Sequence, residues 1–190
     1  MIEWLLVPAA YLIGSVSSAI IVCQLMGLGD PREHGSGNPG ATNVMRIGGK
    51  KAAGITLLGD ALKGLIPVLL TKILVVDVMV LAAVVFAAFL GHLYPVFFGF
   101  KGGKGVATTF GVTLGVDWVL GLVVLGTWYT VYKLSKISSL SALVAAILTP
   151  VYVWYLVGDQ YLVAVFVLIS VVLLWRHRSN IQRLMAGEET

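Results

Sequence analysis

Residues 78–98 read VMVLAAVVFAAFLGHLYPVFF, a run without a single Lys, Arg, Asp or Glu. About 20 apolar residues in a row are enough for a helix to cross the hydrocarbon core of a bilayer. The whole chain shares this character, since 58% of its 190 residues are hydrophobic and only 12% are charged. A soluble domain has about 25% charged residues. The composition therefore excludes a soluble or disordered chain and predicts an all-α integral membrane protein.

Similar apolar runs, separated by charged or Gly- and Pro-rich breaks, predict seven transmembrane helices in a single polytopic domain, residues 1–190. The expected spans are residues 4–26, 52–76, 78–98, 106–116, 119–132, 137–157 and 161–175. The fourth is only ~17 Å long as a helix. This segment can cross the bilayer only if its flanking residues, around 104–118, belong to the same helix. If it is instead a re-entrant segment, the chain has six spans. The small residues at 14–19 are typical of closely packed membrane helices.

The positive charges indicate how these helices are oriented. Eleven of the 13 Lys and Arg residues lie in segments 27–51, 99–105 and 133–136 or after residue 175. The alternate connections carry Glu3, Asp77, Asp117 and Asp159, and no Lys or Arg. Because Lys and Arg concentrate on the cytoplasmic side, the amino terminus is expected outside and the carboxyl terminus in the cytoplasm, which favours an odd number of spans. Orientation accounts for the positive charge without a nucleic-acid partner.

Three polar segments fall on this predicted cytoplasmic side: GSGNPGATN at 35–43, followed by Arg46, KGGKG at 101–105, and RHRSN at 176–180. Glycines let successive backbone N–H groups surround an anion, and Lys104 adds a mobile positive charge. The first segment also offers neutral polar groups from Ser36, Asn38, Thr42 and Asn43. Together the segments predict a phosphate pocket at the cytoplasmic interface. The alternative is a set of flexible loops whose lysines bind anionic lipid headgroups.

Two charged residues lie inside the second predicted span, Asp60 and Lys63. A lone charge near the bilayer centre costs about 2.5–3.5 kcal/mol, and residues three apart share a helix face. We therefore expect an ion pair that supports the pocket. His92, which ends the third span beside Pro95, is expected to pack or tether the following loop.

Several chemistries are excluded by residues that the sequence lacks. The G-x-G-x-x-G pattern at 35–40 has no βαβ unit around it, and segment 101–105 lacks the Ser or Thr that holds magnesium in a phosphate-binding loop. No His is followed by Asp five residues later, no Ser lies in G-x-S-x-G, and no carboxylate cluster predicts a metal site. An enzyme with this sequence is expected to use neither a metal nor a cofactor and to act on a substrate that is already activated.

The chain resembles the bacterial acyl-phosphate:glycerol-3-phosphate acyltransferases, the PlsY family. The resemblance lies in segments 14–19, 35–46, 59–64, 91–95, 101–108 and 176–180. It implies transfer of a fatty acyl group from acyl phosphate to the 1-hydroxyl of glycerol 3-phosphate, giving lysophosphatidic acid and inorganic phosphate for phospholipid biosynthesis. It also implies a multi-pass protein of the bacterial inner membrane, active on the cytoplasmic side next to membrane lipid, with no direct use of coenzyme A or acyl carrier protein.

The expected site combines the polar segments with what this resemblance implies. The expected catalytic residues are Lys104, Ser36, His177 and Asn180. The expected substrate-binding residues are Arg46, Gly37, Asn38, Gly40, Thr42, Asn43, Lys101, Gly102, Gly103, Gly105 and Ser141, and the supporting ones are Asp60, Lys63 and His92. The proton of the attacking hydroxyl goes either to His177 or to a substrate phosphate oxygen, and the resemblance favours the substrate.

Two other functions are consistent with a phosphate pocket at a membrane surface. A transporter or channel for phosphate-type anions needs polar residues on a path to the outer side, whereas the outer connections of this chain carry only acids. A lipid-binding protein without catalysis would show no turnover. Phosphate release from acyl phosphate in detergent, dependent on glycerol 3-phosphate, separates all three functions.

Overall fold

The computed structural model describes residues 2–74 and 77–189, and every regular element within these ranges is helical. The α-helices are α1 Leu6–Gly14, α2 Ser18–Leu25, α3 Ala41–Leu74, α4 Val78–Leu93, α5 Val106–Val116, α6 Trp118–Ser135, α7 Ser138–Leu156, α8 Gln160–Arg176 and α9 Arg178–Ala186. Short 3₁₀ turns occupy Ile2–Leu5 and Val96–Phe98. Val76, the predicted end of the second span, lies outside the described residues. The all-α prediction is confirmed.

Four helical segments in the described ranges are long and apolar enough to cross a membrane: Ile2–Leu25, Ala41–Leu74, Val78–Phe98 and Ser138–Leu156. A fifth is added if α8 and α9, which meet at a bend of 58°, form one broken span. Helix α5 is shorter, with the bounds predicted from the sequence. These helices confirm the membrane-protein class.

The chain divides into two compact units, Met1–Val112 and Thr113–Thr190. In the first unit, α1 packs closely against α4. A Cβ atom on Gly14 would stand 2.3 Å from the carbonyl oxygen of Ala88, and one on Gly91 would stand 2.3 Å from that of Tyr11. The two backbones therefore come together where only glycine fits, which is the role of small residues in tightly packed membrane helices.

The first predicted span is not one helix, because α1 ends at Gly14 and α2 begins at Ser18. The carbonyl of Val16, in the break, accepts a hydrogen bond of 2.7 Å from the buried Nζ of Lys63. Helix α3 begins at Ala41, eleven residues before the predicted span, and bends at Gly49, where φ is +75°. The first Gly-rich segment is therefore a loop only as far as Gly40.

The second unit contains α6 to α9. Asp117 and Asp159 cap α6 and α8 by accepting hydrogen bonds from backbone N–H groups of the first turn, as carboxylates at helix starts commonly do. The Ser170 hydroxyl of α8 donates to the Ala146 carbonyl of α7 at 2.6 Å. Helix α9, within the polar tail, was not predicted, and the bend before it falls at His177.

Candidate active site

The first Gly-rich loop is folded around the side chain of Asn43, which is 1% exposed. Its Oδ1 accepts a hydrogen bond of 2.8 Å from the Ser36 backbone amide. Its Nδ2 donates to the carbonyls of Pro31, at 2.8 Å, and His34, at 2.9 Å. Gly35, with φ of +61°, lies so close that a Cβ there would stand 2.2 Å from Asn43 Oδ1. Asn43 was expected to bind substrate, but both of its N–H donors brace the loop.

A clamp between Asp30 and Arg32, to which the sequence analysis assigned no role, fixes the other end of this loop. The Arg32 Nε and Nη2 atoms donate to the Asp30 carboxylate at 2.6–3.0 Å, and Nη1 donates to the carbonyl of Phe98 at 2.9 Å. These hydrogen bonds lower the pKa of Asp30 despite its partial burial, so the pair stays charged. The clamp ties the first loop to the turn that precedes the second one.

The second Gly-rich segment runs back along the end of α4. The Gly102 amide donates to the Leu93 carbonyl at 3.1 Å, and the Gly103 amide donates to the His92 carbonyl at 3.2 Å. A Cβ on Gly102 would stand 2.0 Å from the His92 carbonyl oxygen. The expectation that these two amides line an anion site needs correction, because each is bonded to a backbone carbonyl. These glycines permit close approach of the backbone instead.

The two Gly-rich segments meet in the first unit. A Cβ on Gly103 would stand 3.1 Å from the carbonyl oxygen of Pro39. Beside this contact is an open cleft of about 370 Å³, lined by Asp30, Arg32, Glu33, Gly37, Pro39, Lys101 and Gly102. Small-molecule sites occupy roughly 300–1,000 Å³, so the cleft has room for a small polar molecule.

The remaining candidate residues of the first unit lie in these two loops or at the start of α3, and they differ in how exposed they are to solvent. Lys104 is half-buried between Gly103 and Gly105, both of which are buried. Asn38 and Gly40 are also half-buried. The exposed candidates are Ser36, Gly37, Thr42, Arg46 and Lys101. Thr42 and Arg46 lie four residues apart in the first turns of α3 and so share a helix face.

A buried polar cluster supports the second Gly-rich segment from inside the first unit. The Nζ of Lys63 lies 2.8 Å from Oδ1 of Asp60, and Nδ1 of His92 lies 3.7 Å from the same oxygen. All three side chains are at least nine-tenths buried. A Cβ on Gly103 would stand 2.3 Å from Nε2 of His92. The cluster therefore links α3, the end of α4 and the Gly-rich backbone.

The second unit holds the other candidates, all of them buried. His177 Nδ1 lies 2.9 Å from the Leu173 carbonyl. A carbonyl only accepts hydrogen bonds, so Nδ1 carries the proton and Nε2 is the acceptor in the neutral ring. The Ser141 hydroxyl donates to the Ile137 carbonyl at 2.8 Å. Asn180 Nδ2 donates to Oε1 of Glu189, a residue that the sequence analysis missed.

Membrane-length apolar helices define an integral membrane protein, and its first unit has a polar cleft lined by acidic and basic side chains. The family is given by sequence. A model of the family described as "Glycerol-3-phosphate acyltransferase" matches residues 4–187, and the chain belongs to this family. It is 60% identical to the glycerol-3-phosphate acyltransferase of Methylococcus capsulatus over 99% of its own length and 95% of the relative's.

Another relative and two solved structures are also similar to this chain over nearly its whole length. The glycerol-3-phosphate acyltransferase of Thioalkalivibrio sulfidiphilus is also 60% identical, over 97% of this chain and 91% of the relative. The fold is similar to the crystal structure of PlsY, an integral membrane glycerol 3-phosphate acyltransferase, in its glycerol 3-phosphate form. The TM-score is 0.95 at 38% identity, covering 100% of this chain and 95% of that one. The lysophosphatidic acid form of PlsY gives a TM-score of 0.92 at 37% identity over the same fractions of the two chains.

Proposed function

We propose that this protein transfers a fatty acyl group from acyl phosphate to the 1-hydroxyl of glycerol 3-phosphate, producing lysophosphatidic acid and inorganic phosphate. One observation carries the proposal: in a chain of this family, the two Gly-rich loops meet beside an open polar cleft that is bordered by Lys101. The names of the relatives support the acceptor, and the ligand forms of PlsY support both acceptor and product. The acyl phosphate donor rests on the family resemblance.

The proposed reaction needs little chemical assistance from the protein. The 1-hydroxyl oxygen attacks the acyl carbonyl carbon, the bond from that carbon to the phosphate oxygen breaks, and phosphate leaves as a stable anion with the hydroxyl proton on one of its oxygens. Acyl phosphate is a mixed anhydride and is already activated. Catalysis therefore consists of holding two phosphorylated reactants together and stabilising the charge that develops on the carbonyl oxygen and the leaving phosphate.

The residues of the first unit divide into two groups in this proposal. Lys104 and the Ser36 hydroxyl act on the reacting atoms, while Arg46, Lys101 and Thr42 attract the phosphate groups. A charge-assisted hydrogen bond contributes about 1.5–3 kcal/mol, so a few suffice for a small soluble substrate. Asn43, Gly102 and Gly103 act indirectly, because their polar groups are bonded within the loops. The roles proposed for His177 and Asn180 of the second unit rest on the resemblance.

The proposed location is the bacterial inner membrane, with the site on the cytoplasmic face. The chain would form one polytopic domain with seven spans, the amino terminus outside and the carboxyl terminus inside. The support is the one-sided distribution of Lys and Arg between the spans. A family model that extends from residue 4 to residue 187 also supports a single domain.

The test is an assay of the purified protein in detergent micelles with synthetic acyl phosphate. The expected result is phosphate release that depends on glycerol 3-phosphate, together with stoichiometric lysophosphatidic acid. Replacing acyl phosphate with acyl coenzyme A is expected to abolish the reaction. Absence of phosphate release from acyl phosphate in the presence of glycerol 3-phosphate would contradict the proposal, and lysophosphatidic acid formed from acyl coenzyme A would contradict the proposed donor. Since micelles enclose no compartment, an anion transporter cannot produce the signal.

A further inference from the structure

Arg32 joins the first Gly-rich loop to the turn that leads into the second Gly-rich segment, and the proposed function assigns it no role. Each nitrogen of its guanidinium group donates a hydrogen bond within the protein. Nε and Nη2 donate to the carboxylate of Asp30, and Nη1 donates to the carbonyl of Phe98. Because the guanidinium group is planar and rigid, it fixes both the distance and the direction between these two partners.

The Asp30 end of this link is anchored to α3. The backbone amide of Arg32 donates to Oδ1 of Asp30 at 2.9 Å, so the carboxylate is bonded to both the backbone and the side chain of one residue. Pro31, between them, is buried, and its carbonyl accepts a hydrogen bond of 2.8 Å from Nδ2 of Asn43 in the first turn of α3. The carboxylate therefore keeps a fixed place relative to the start of α3.

The Phe98 end of the link is a turn with an unfavourable backbone conformation. The amides of Phe98 and Phe100 both donate to the carbonyl of Pro95 at 3.0 Å. Gly99 and Phe100 are left-handed, with φ of +67° and +60°, which is common for glycine but unfavourable for a bulky side chain. Phe100 is 57% exposed, so packing of its ring against the protein does not account for this conformation. The hydrogen bond from Arg32 to the carbonyl just before Gly99 therefore helps to hold the turn.

We propose that Arg32 and Asp30 are positioning residues that hold the second Gly-rich segment at the distance from the first loop at which the two reactants meet. The inference rests on the proposed function, because it takes both loops to bind the reactants. Arg32 also lines the cleft, so the alternative is direct binding of a substrate phosphate by its guanidinium group. The Asp30 carboxylate, 2.6 Å away, opposes this alternative, since it neutralises the guanidinium charge and repels an anion.

Asp30→Asn distinguishes the two roles of Arg32. The asparagine replaces one carboxylate oxygen with an NH₂ group, which cannot accept from the guanidinium group, and it removes the negative charge. If Arg32 positions the loops, kcat at saturating concentrations of both substrates falls about tenfold, while KM for glycerol 3-phosphate changes less than about threefold. We expect this result for Asp30→Asn and for Arg32→Gln. An increase in KM with unchanged kcat in Arg32→Gln, or an undiminished kcat in Asp30→Asn, would overturn the inference.

Glu33→Gln is the matched control, because it removes an exposed carboxylate from the same loop, and we expect it not to lower kcat. A loss equal to that of Asp30→Asn would attribute the effect to charge alone and overturn the inference. The double variant Asp30→Asn/Arg32→Gln should be no slower than the slower single variant, because both substitutions break the same link. Effects on kcat that multiply would show that the two residues act separately, against the inference.

Arg32→Lys takes the place of Arg32→Gln if the latter does not fold. The lysine keeps the positive charge but lacks the planar fork that bonds to two partners in fixed directions. We expect Arg32→Lys to lower kcat as Asp30→Asn does, and a wild-type kcat in this variant would overturn the inference.

Amide hydrogen exchange in detergent micelles tests the link without the reaction. We expect the amides of residues 98–105 to exchange at least about threefold faster in Asp30→Asn than in the wild-type protein, and those of α7 to exchange at the wild-type rate. Unchanged exchange over residues 98–105 would overturn the inference even in an active enzyme. Absence of turnover in the wild-type protein would contradict the proposed function, and the exchange rates would still decide whether the link holds the second Gly-rich segment.

Discussion

Gly103 and His92 are joined through both backbone and side chain: the Gly103 amide donates to the His92 carbonyl at 3.2 Å, and the imidazole fills the space that a Cβ on Gly103 would need. The same glycine lies against the carbonyl of Pro39 in the first loop. Gly103 is therefore the point at which α4 and both Gly-rich loops are fixed relative to one another.

A Gly103→Ala substitution is expected to separate these loops. The new methyl group would stand 2.3 Å from His92 Nε2, inside van der Waals contact, so the loop has to move. A displacement of about 1 Å at a positioned site costs about 10²-fold in rate, and we expect a loss of this size in kcat/KM in the detergent assay. Gly54→Ala is the control, since no atom lies within 4 Å of a Cβ placed there. Equal activities of the two variants would contradict the packing argument.

Lys104→Ala tests whether a cation of the second loop stabilises the departing phosphate. Removing one donor to a developing anion typically costs 10²–10³-fold in kcat, and we expect a loss in this range at saturating substrate. Lys50→Ala removes an exposed Lys of α3 and should retain the wild-type rate. Near-normal turnover of Lys104→Ala would show that Lys104 does not stabilise the departing phosphate.

Asn43→Asp and Ser36→Ala separate the bracing of the first loop from its chemistry. The aspartate keeps an acceptor for the Ser36 amide but places its second oxygen against the Pro31 and His34 carbonyls, to which Asn43 now donates. We expect a loss of about 1–3 kcal/mol in stability, visible as a lower Tm, together with lower activity. Ser36→Ala keeps the backbone amide and should lower kcat while leaving Tm unchanged. If Ser36→Ala lowered Tm and Asn43→Asp lowered only kcat, Ser36 would be the residue that braces the loop and Asn43 the one that acts in the reaction.

The fold class could be predicted from hydropathy because apolar length is a local property of the sequence. The bounds of α5 were predicted for the same reason, since charged or Gly-rich residues flank it on both sides. The break between Gly14 and Ser18 was not predicted. The Val16 carbonyl in this break accepts a hydrogen bond from Lys63, which lies 47 positions away in the chain, and no local pattern contains that information.

In the candidate site, too, the features set by local sequence were predicted and those set by contacts between distant residues were not. The glycines and cations of the two loops were recognised by composition, and the structure brings both loops together. The use of the Gly102 and Gly103 amides was misjudged, because composition shows that a backbone can approach closely without showing what it approaches. Glu189 was missed since its three donors come from two helices. The D-x-R spacing of Asp30 and Arg32 was the one local signal that could have indicated the clamp.

The His177→Asn variant tests where the hydroxyl proton goes. An asparagine Nδ2 can replace the donor that His177 Nδ1 directs at the Leu173 carbonyl, but it supplies no base. Loss of a general base typically costs 10²–10⁴-fold. With the substrate phosphate taking the proton, we expect the maximal rate to fall by less than about tenfold. A loss of several hundredfold would identify Nε2 of His177 as the base.

The lowered pKa of Glu189 predicts how acid affects the second unit. Its ordinary value is 4.5, and the hydrogen bonds from Arg183, Ser139 and Asn180 lower it against the effect of burial. A carboxyl with a depressed pKa stabilises the folded state above its unfolded value and loses this contribution as pH falls through the folded value. The Tm difference between wild-type protein and Glu189→Gln should be constant from pH 7 to about pH 5 and shrink below about pH 4.5. Glu188→Gln controls for the loss of one negative charge. A difference that persists or grows down to about pH 3 would show that Glu189 stabilises the fold without its charge.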